Sequence, residues 1–165
     1  PASHSFNGKN ERNKSMYSHP GTIYIYLIYG MYYCFNIVTN KKDVGEAVLI
    51  RALEPISGID LMEKNRKMNK KSVIDNNTNE KYNMNKLINL CNGPGKLAMA
   101  LSLDKKHDGV DLLDSKSKFQ LMESGEDNEK INNFSIVKTT RIGITKGAEL
   151  PHRFYIKNNQ FVSKA

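Results

Sequence analysis

The chain has 165 residues, which is enough for one domain with a hydrophobic core. Its 25 Lys and Arg exceed its 17 Asp and Glu, and the net charge of +8 favours phosphate or an anionic membrane as a partner, unless the excess lysines only lie in solvated loops. A membrane-spanning helix is excluded, because the apolar stretch 23–38 is interrupted by Gly30 and Asn36 and falls short of roughly 20 apolar residues. The first residues, Pro-Ala-Ser-His-Ser, do not form a signal peptide pattern.

The cysteines and histidines do not predict a disulfide framework or a metal site. Cys34 and Cys91 lie in dissimilar apolar surroundings, which indicates reduced core thiols in an intracellular protein. The chain has no C-x-x-C or H-x-x-x-H pair, and its histidines are scattered. We therefore expect neither a metal nor another cofactor.

The first third of the chain predicts a meander of antiparallel strands. The polar first twenty residues end in a His-Pro-Gly turn at 19–21 that leads into a strand from 22 to about 30. A second strand is predicted over 31–39, a hairpin turn over 40–43 and a third strand over 46–53.

The first two of these strands contain a run of tyrosines, with five of the eight tyrosines in residues 24–33. Tyr24 and Tyr26 alternate with isoleucines and Leu27, so the phenols are expected on one face of the strand. Buried phenols need hydrogen-bond partners, and a core has no evident need for so many. Flat rings with a polar tip suit a surface that stacks on bases or wedges between them. On a basic chain this run points to nucleic acid.

The middle of the chain predicts a helix followed by an insertion. A helix is expected to begin over 57–62. Over 65–89 the composition is dominated by Asn and Lys, which predicts a flexible insertion within a single domain 1–165. The composition leaves open whether this insertion helps to hold DNA or is only a low-complexity segment.

Order is predicted to resume at 90–101, where Gly-Pro-Gly-Lys at 93–96 opens a helix. Backbone N–H groups beside a lysine can hold a phosphate, although the turn is not a Walker loop. After an acidic, loop-like segment over 111–129, short strands are predicted over 134–137, 140–144 and 151–156. The predicted class is mixed α/β, with one curved, mainly antiparallel sheet and helices packed on it.

Several motifs, in the same order along almost the whole chain, resemble the 3-methyladenine DNA glycosylases of the alkyladenine (methylpurine) type. The longest are Tyr-Gly-Met-Tyr-Tyr-Cys at 29–34 and Leu-Ile-Arg-Ala-Leu-Glu-Pro at 49–55. Shorter ones are Pro-Ala-Ser-His at 1–4, Glu-Arg-Asn at 11–13, Pro-Gly-Thr at 20–22, Cys-Asn-Gly-Pro-Gly-Lys-Leu at 91–97, Arg-Ile-Gly-Ile at 141–144 and Arg-Phe-Tyr at 153–155. The resemblance implies a barrel-like sheet similar to the C-terminal domain of a tRNA formyltransferase.

By this resemblance the protein would remove alkylated or deaminated purines from double-stranded DNA: 3-methyladenine, 7-methylguanine, hypoxanthine and ethenoadenine. It would hydrolyse the N-glycosidic bond without a metal, after flipping the nucleotide out of the duplex. An aromatic pocket suits such bases, because electron-poor purines are attracted to phenol rings.

The resemblance also implies roles for individual residues. Tyr29 would fill the gap left by the flipped base, and Asn36 would exclude guanine by clashing with its 2-amino group. His4 and Tyr26 would line the base pocket. The attacking water would be positioned by Arg51 and the backbone carbonyl of Ile142, and further DNA contacts would come from Met31, Lys96 and Arg141.

Each role has a structural alternative. Tyr29 and Asn36 could be ordinary residues at strand ends, and His4 an ordinary surface histidine. Arg51 could form an ion pair with Glu46 or Glu54. Lys96 and Arg141 could be solvated charges rather than phosphate ligands.

One departure from the family concerns the general base. The family uses a glutamate in a Glu-x-Tyr segment shortly before the Pro-Ala-Ser-His motif, and this chain begins at Pro1. Glu11 and Glu46 match non-catalytic family positions, so we expect these 165 residues to bind DNA but to excise bases poorly.

The competing reading is a non-catalytic DNA- or RNA-binding module. For the glycosylase we expect a monomer without membrane contact, located in the nucleus or an organelle.

Overall fold

The computed structural model describes residues 2–67, 84–123 and 134–163. The described residues form strands β1 (Ile23–Ile28), β2 (Tyr32–Val38), β3 (Ala47–Leu49), β4 (Ile136–Thr139) and β5 (Arg153–Ile156). The helices are α1 (Ile59–Asn65), α2 (Met84–Cys91) and α3 (Pro94–Ala100), with short 3-10 helices at Lys14–Tyr17 and Lys105–His107. None of the helices described is long and apolar enough to cross a membrane.

The predicted meander is confirmed: β1, β2 and β3 form one antiparallel sheet in that order. The alternation along β1 also divides its faces as expected. Ile23 and Ile25 are buried against α2 and α3 in the main core, whereas Tyr24 belongs to a second cluster with Met16. The tyrosine face of the hairpin therefore lies against the N-terminal segment rather than against the helices.

Strand β3 is shorter than the predicted 46–53. Ile50 still donates its N–H to the carbonyl of Phe35 at 2.9 Å, but Leu53 donates to the carbonyl of Cys91 at 3.3 Å. The chain therefore leaves β2 after Ile50 and crosses to the end of α2. This departure carries Arg51 away from the sheet.

The outer edge of β1 is covered by the segment that contains Lys105–His107. Ile23 exchanges backbone hydrogen bonds with Gly109 and Val110. Ile25 donates its N–H to Asp108 Oδ1 at 2.8 Å, and its carbonyl accepts from Lys105 Nζ at 3.3 Å. These contacts satisfy the strand edge as a neighbouring strand would.

The later strands only partly match the prediction of one curved sheet. In the described residues β4 and β5 form a separate two-stranded antiparallel sheet. The strand predicted over 140–144 is wrong, because residues 142 and 143 form a bend, the other three have no regular structure, and Gly143 has a φ of +74°. The likeness to the formyltransferase domain stays a prediction.

The predicted insertion over 65–89 lies mostly outside the described residues. Among the described residues of this range, Asn65 is the last residue of α1, and residues 84–89 belong to α2. Helix α2 was not predicted, although Met84, Leu87, Ile88 and Cys91 have the i, i+3, i+4, i+7 spacing of an amphipathic helix. The abundant Asn and Lys around this segment obscured its apolar pattern.

Candidate active site

A cluster of rings lies on the tyrosine face of β1. His4 packs edge-on against Tyr26, with ring centroids 4.4 Å apart, and the rings of Tyr24 and Tyr26 are 5.6 Å apart. His4 Nδ1 and the hydroxyl of buried Tyr24 form a hydrogen bond of 2.7 Å. Two of the predicted base-binding residues, His4 and Tyr26, are thus in direct contact.

The loop that carries His4 is held by Asn13, which is only 1% exposed. Its Nδ2 donates to the carbonyls of His4 at 2.7 Å and Gly8 at 2.9 Å, and its Oδ1 accepts from the N–H of Asn10 at 2.7 Å. A buried amide with three hydrogen bonds fixes the backbone of this loop, and with it the position of the His4 ring.

The electrostatics of the cluster keep its groups neutral. His4 is exposed on one side, but partial burial lowers its pKa, and the Arg12 guanidinium lowers it further. Burial raises the pKa of Tyr24 to about 12. Burial also raises the pKa of Tyr26, and the neighbouring Cys34 thiol adds to this. Near neutral pH the cluster is therefore an uncharged aromatic surface, which suits a flat base.

Asn36 lies on the same face, because it pairs with Tyr24 across β1 and β2. It is 5% exposed, and its Nδ2 donates to the carbonyls of Tyr24 at 3.0 Å and Cys34 at 3.2 Å. Both partners can only accept, so the orientation of the amide is determined and Oδ1 points away from them. These two hydrogen bonds fix the side chain, and the role of Asn36 as a gate stays a prediction.

Arg51 reaches the same neighbourhood from the segment after β3. Burial lowers its pKa and the nearby Arg153 guanidinium lowers it further, while Cys34 and Tyr26 act in the opposite direction. The expected alternative, an ion pair, is not seen in the described part of the chain. Glu46 instead accepts from Thr39 and Asn40, and Glu54 accepts from Asn159. The Nε atom of Arg51 is buried without a hydrogen-bond partner among the residues described.

Ile142 and Arg141 lie in the bends between β4 and β5. The carbonyl of Ile142 accepts no backbone hydrogen bond within the described residues, so it is available to another donor. Arg141 turns one guanidinium nitrogen towards the carbonyl of Gly147, at 3.3 Å. No measured contact joins either residue to the ring cluster in the residues described, so their assigned roles stay predictions.

The tip of the β1–β2 hairpin projects Tyr29 and Met31 into solvent, with 81% and 67% of their surfaces exposed. Tyr29 has a φ of +52° and Gly30 a φ of +68°, and Met31 donates its N–H to the carbonyl of Ile28 at 3.2 Å. Positive φ at both central residues is the pattern of a type I′ turn, where glycine is favoured and tyrosine is rare. A strained, exposed tyrosine indicates a functional rather than a packing role.

Lys96 lies at the start of α3. Its Nζ donates to Oδ1 of Asn89 and, at 2.9 Å, to Oδ1 of Asn92. Burial and the nearby Arg66 guanidinium lower the pKa of Lys96. Two of its three donors are thus occupied, so the ammonium is held in place beside the α2–α3 turn.

A cavity of about 370 Å³ opens at the outer side of β1, within the size range of small-ligand pockets (about 300–1,000 Å³). It is lined by Tyr26 and Arg12, together with Leu27 and Lys105. His4 and Asn36 do not line it. The candidate site for a purine is therefore the ring cluster and not this cavity.

Sequence reasoning missed several residues that shape the site. Tyr24, Asn13 and Arg12 received no role, yet Tyr24 and Asn13 hold His4 and Arg12 acts on its charge. The signal for Asn13 was its place in the Glu-Arg-Asn motif. The hydrogen bond of Tyr24 could not be read from a strand pattern, because its partner lies twenty residues away in a loop.

No group of three or more potential metal ligands occurs among the residues described.

A basic chain with a neutral ring cluster and an exposed tyrosine at a hairpin tip is typical of the class of nucleic-acid-binding proteins. Comparison with known proteins gives the family. The family description "Methylpurine-DNA glycosylase (MPG)" matches residues 1–160. Curated proteins named "Putative 3-methyladenine DNA glycosylase" are similar to this chain. The one from Francisella tularensis is 47% identical over 164 residues, covering 99% of this chain and 75% of its own length.

Two further relatives with the same name come from Clostridium perfringens, 44% identical over 168 residues, and Carboxydothermus hydrogenoformans, 43% identical over 164 residues. Each alignment covers 99% of this chain, and 76% and 75% of the two relatives respectively. The chain belongs to the methylpurine-DNA glycosylase family, whose members are DNA-repair enzymes.

Proposed function

We propose that this protein excises alkylated or deaminated purines from double-stranded DNA: 3-methyladenine, 7-methylguanine, hypoxanthine and ethenoadenine. The observation that carries the proposal is the β1–β2 hairpin. Its tip presents the exposed Tyr29, and its tyrosine face holds the neutral ring cluster and the oriented amide of Asn36. One hairpin thus contains a group that can replace a base in the stack and a surface that can receive that base.

In the proposed reaction Tyr29 enters the minor groove and occupies the gap left by the flipped nucleotide, with Met31 against the neighbouring base pair. The base then stacks on Tyr26 and contacts His4. An electron-poor purine is favoured by the phenol ring, and guanine is rejected where its 2-amino group meets Asn36.

The chemical step is hydrolysis of the bond between the base nitrogen and C1′ of the sugar. Positive charge develops on the sugar as the base leaves with the bonding electron pair. Water adds to C1′, and the proton that it loses goes to a general base and then to solvent or to the departed base. In our proposal the guanidinium of Arg51 and the carbonyl of Ile142 hold this water. Glu46 and Glu54 bind other residues rather than Arg51, and the buried Nε of Arg51 has no hydrogen-bond partner among the residues described.

We further propose that residues 1–165 alone recognise lesions but excise them slowly. By the family resemblance the general base is a glutamate, and its carboxylate has to be free to take the proton of the water. Glu11 is bound to Lys14 at 2.9 Å, and Glu46 is bound to Thr39 at 2.8 Å. Asp108 accepts from Ile25, Ser15 and Lys105.

We also propose that the protein works as a monomer, in the nucleus or in an organelle that contains DNA, and that its complete sheet resembles the formyltransferase domain. Lys96 and Arg141 are the proposed phosphate contacts. Lys96 donates to Asn89 and Asn92, and one nitrogen of Arg141 donates to the carbonyl of Gly147, so each side chain has a further donor for a phosphate.

The competing function is a non-catalytic DNA- or RNA-binding module. It would use the same charge and exposed rings, but it has no need for an oriented buried amide beside neutral rings. It would bind damaged and undamaged duplexes equally.

The test is the replacement Tyr29→Ser, measured as affinity for a duplex with ethenoadenine relative to the same duplex with adenine. We expect the preference for the lesion to fall about tenfold, since stacking of one ring is worth about 1–3 kcal/mol. Phe154→Ser is the control, because Phe154 is also an exposed ring but lies on β5. Equal effects of the two replacements would contradict the proposed wedge.

A further inference from the structure

The ring of Tyr32 is seated on Gly95, the second residue of α3. A Cβ atom added at Gly95 would lie 3.2 Å from Cγ and from Cδ1 of Tyr32, closer than an ordinary contact. Gly95 lies inside a helix and needs no left-handed conformation, so its backbone does not require glycine. Alanine would be the better helix former there. The glycine is explained by the close approach of the ring.

Tyr32 connects this contact to the wedge. It is the first residue of β2 and directly follows the turn of Tyr29, Gly30 and Met31. It remains 42% exposed, so the contact with Gly95 is on one side of the ring. The side chains of Tyr29 and Met31 have little packing of their own, and Tyr32 is therefore the nearest support that ties the tip to the body of the protein.

Helix α3 offers a rigid base for this support. Leu97 and Ala98 are fully buried in the main core, and the N–H of Leu97 donates to the carbonyl of Gly93 at 2.8 Å. Lys96 is held by Asn89 and Asn92 across the α2–α3 turn. A displacement of the Tyr32 ring would therefore move the hairpin rather than the helix.

We propose that Tyr32 and Gly95 are positioning residues. They fix the position of the hairpin tip relative to α3, so that Tyr29 can enter the duplex while the flipped base reaches the ring cluster. The inference rests on the proposed function, because it concerns the same wedge. Displacements of about 1 Å in a binding geometry can cost large factors in recognition. A side chain at position 95 would push the Tyr32 ring, and with it the tip, by a few tenths of an ångström or more.

The test uses the graded replacements Gly95→Ala and Gly95→Val, with Gly93→Ala as the matched control. A Cβ at Gly93 meets only the Lys96 side chain, at 3.9 Å, an ordinary contact in the same turn. We expect the lesion preference to fall about threefold for Gly95→Ala and about tenfold for Gly95→Val, and to be unchanged for Gly93→Ala. Gly95→Ala should keep or raise the melting temperature, because alanine is favoured in a helix.

A double-mutant cycle separates positioning from a general loss of structure. If Gly95 acts through the wedge, Gly95→Ala should have no further effect on lesion preference when Tyr29 is already serine. Additive effects would overturn the inference, as would an unchanged preference in both Gly95 variants. Loss of binding to damaged and undamaged duplexes by the same factor would overturn it too.

A second measurement needs no DNA. The methyl resonance of Met31 should shift in Gly95→Ala, and Gly95→Ala should cause no further shift when it is added to Tyr32→Ala, in which the ring is absent. An unmoved resonance would contradict the inference. If the unmodified protein shows no lesion preference but the methyl resonance moves as expected, the proposed function fails while the mechanical link between Gly95 and the tip stands.

Discussion

At the scale of single residues, the site depends on which atoms carry protons. The pKa of Tyr24 is raised to about 12, so its hydroxyl keeps its proton near neutral pH. His4 is neutral there, because burial and Arg12 hold its pKa below the ordinary 6.5. We propose that the phenol of Tyr24 is the donor in its hydrogen bond with Nδ1 of His4, which places the ring proton on Nε2. The second nitrogen then becomes a donor that can face a base.

The first prediction concerns this tautomer and its pH dependence. We expect nitrogen NMR to find His4 protonated on Nε2, with a pKa below 6.5, and to find mixed tautomers in Tyr24→Phe. Because the folded-state pKa is lowered, the unfolded chain binds the proton first as the pH falls below about 6.5, so stability decreases from there through the folded-state pKa. The decrease should be smaller in His4→Gln. A proton mainly on Nδ1 would contradict this account.

The second prediction concerns Asn36 as the gate against guanine. In Asn36→Ser the shorter side chain no longer clashes with the 2-amino group of guanine, so the ratio of affinities for duplexes with hypoxanthine and with guanine should fall about tenfold, or ~1.4 kcal/mol. Asn40→Ser is the control, since Asn40 lies in the turn before β3 and binds Glu46. An unchanged ratio in Asn36→Ser, at comparable folding, would remove Asn36 from this role.

At the scale of elements, the edge of β1 is closed by side chains in place of a strand. The Asp108 carboxylate links β1 to two other segments. It accepts hydrogen bonds from the N–H of Ile25 at 2.8 Å, from Ser15 at 2.9 Å and from Lys105 at 2.7 Å. Since β1 carries Tyr24 and Tyr26, the same carboxylate that covers the edge also fixes the strand beneath the rings.

The third prediction follows for Asp108→Asn. Hydrogen bonds to a charged group contribute about 1.5–3 kcal/mol each to stability, and the amide cannot accept from all three donors, so we expect the free energy of unfolding to fall by about 1–3 kcal/mol. Asp43→Asn is the matched control, since Asp43 is exposed, lies 3.8 Å from Lys9 and contributes about 0–1 kcal/mol as a surface ion pair. Denaturant unfolding measures both. Similar small effects would show that the edge does not depend on Asp108.

Local patterns predicted some elements and failed for others, for physical reasons. The alternation of Tyr and Ile fixed β1 and its two faces, because strand periodicity is a local property. The early end of β3 could not be predicted, since it depends on the hydrogen bond of Leu53 to Cys91, thirty-eight residues further along. The wrong strand over 140–144 has the apolar content of a strand, but Gly143 bends the chain there.

The site was predicted in the same uneven way. The resemblance named His4, Tyr26 and Asn36, and the structure brings His4 and Tyr26 into contact and places Asn36 on the same face of the hairpin. The resemblance did not assign roles to Asn13 and Tyr24, which hold His4 in place. They act through hydrogen bonds between distant parts of the chain, and such contacts cannot be read from a local pattern. The roles assigned to Arg51, Ile142, Lys96 and Arg141 remain predictions.

At the scale of the whole molecule, two properties act together on DNA. The net charge of +8 attracts any duplex, with an affinity that falls steeply with salt. In the proposed function, the hairpin with its ring cluster adds a contribution to the affinity that depends on the base and less on salt. These two contributions, one from charge and one from the base, are what a methylpurine-DNA glycosylase needs. Such an enzyme must search undamaged DNA before it stops at a lesion.

The most direct test of the central claim is a binding titration at two salt concentrations with three matched duplexes. They carry undamaged adenine, ethenoadenine, or a pyrrolidine mimic of an abasic site. We expect tighter binding to the two modified duplexes, with a preference that persists at the higher salt while all three affinities fall. Equal affinities for the three duplexes, with the same dependence on salt, would contradict a base pocket on the hairpin and leave a basic nucleic-acid-binding module.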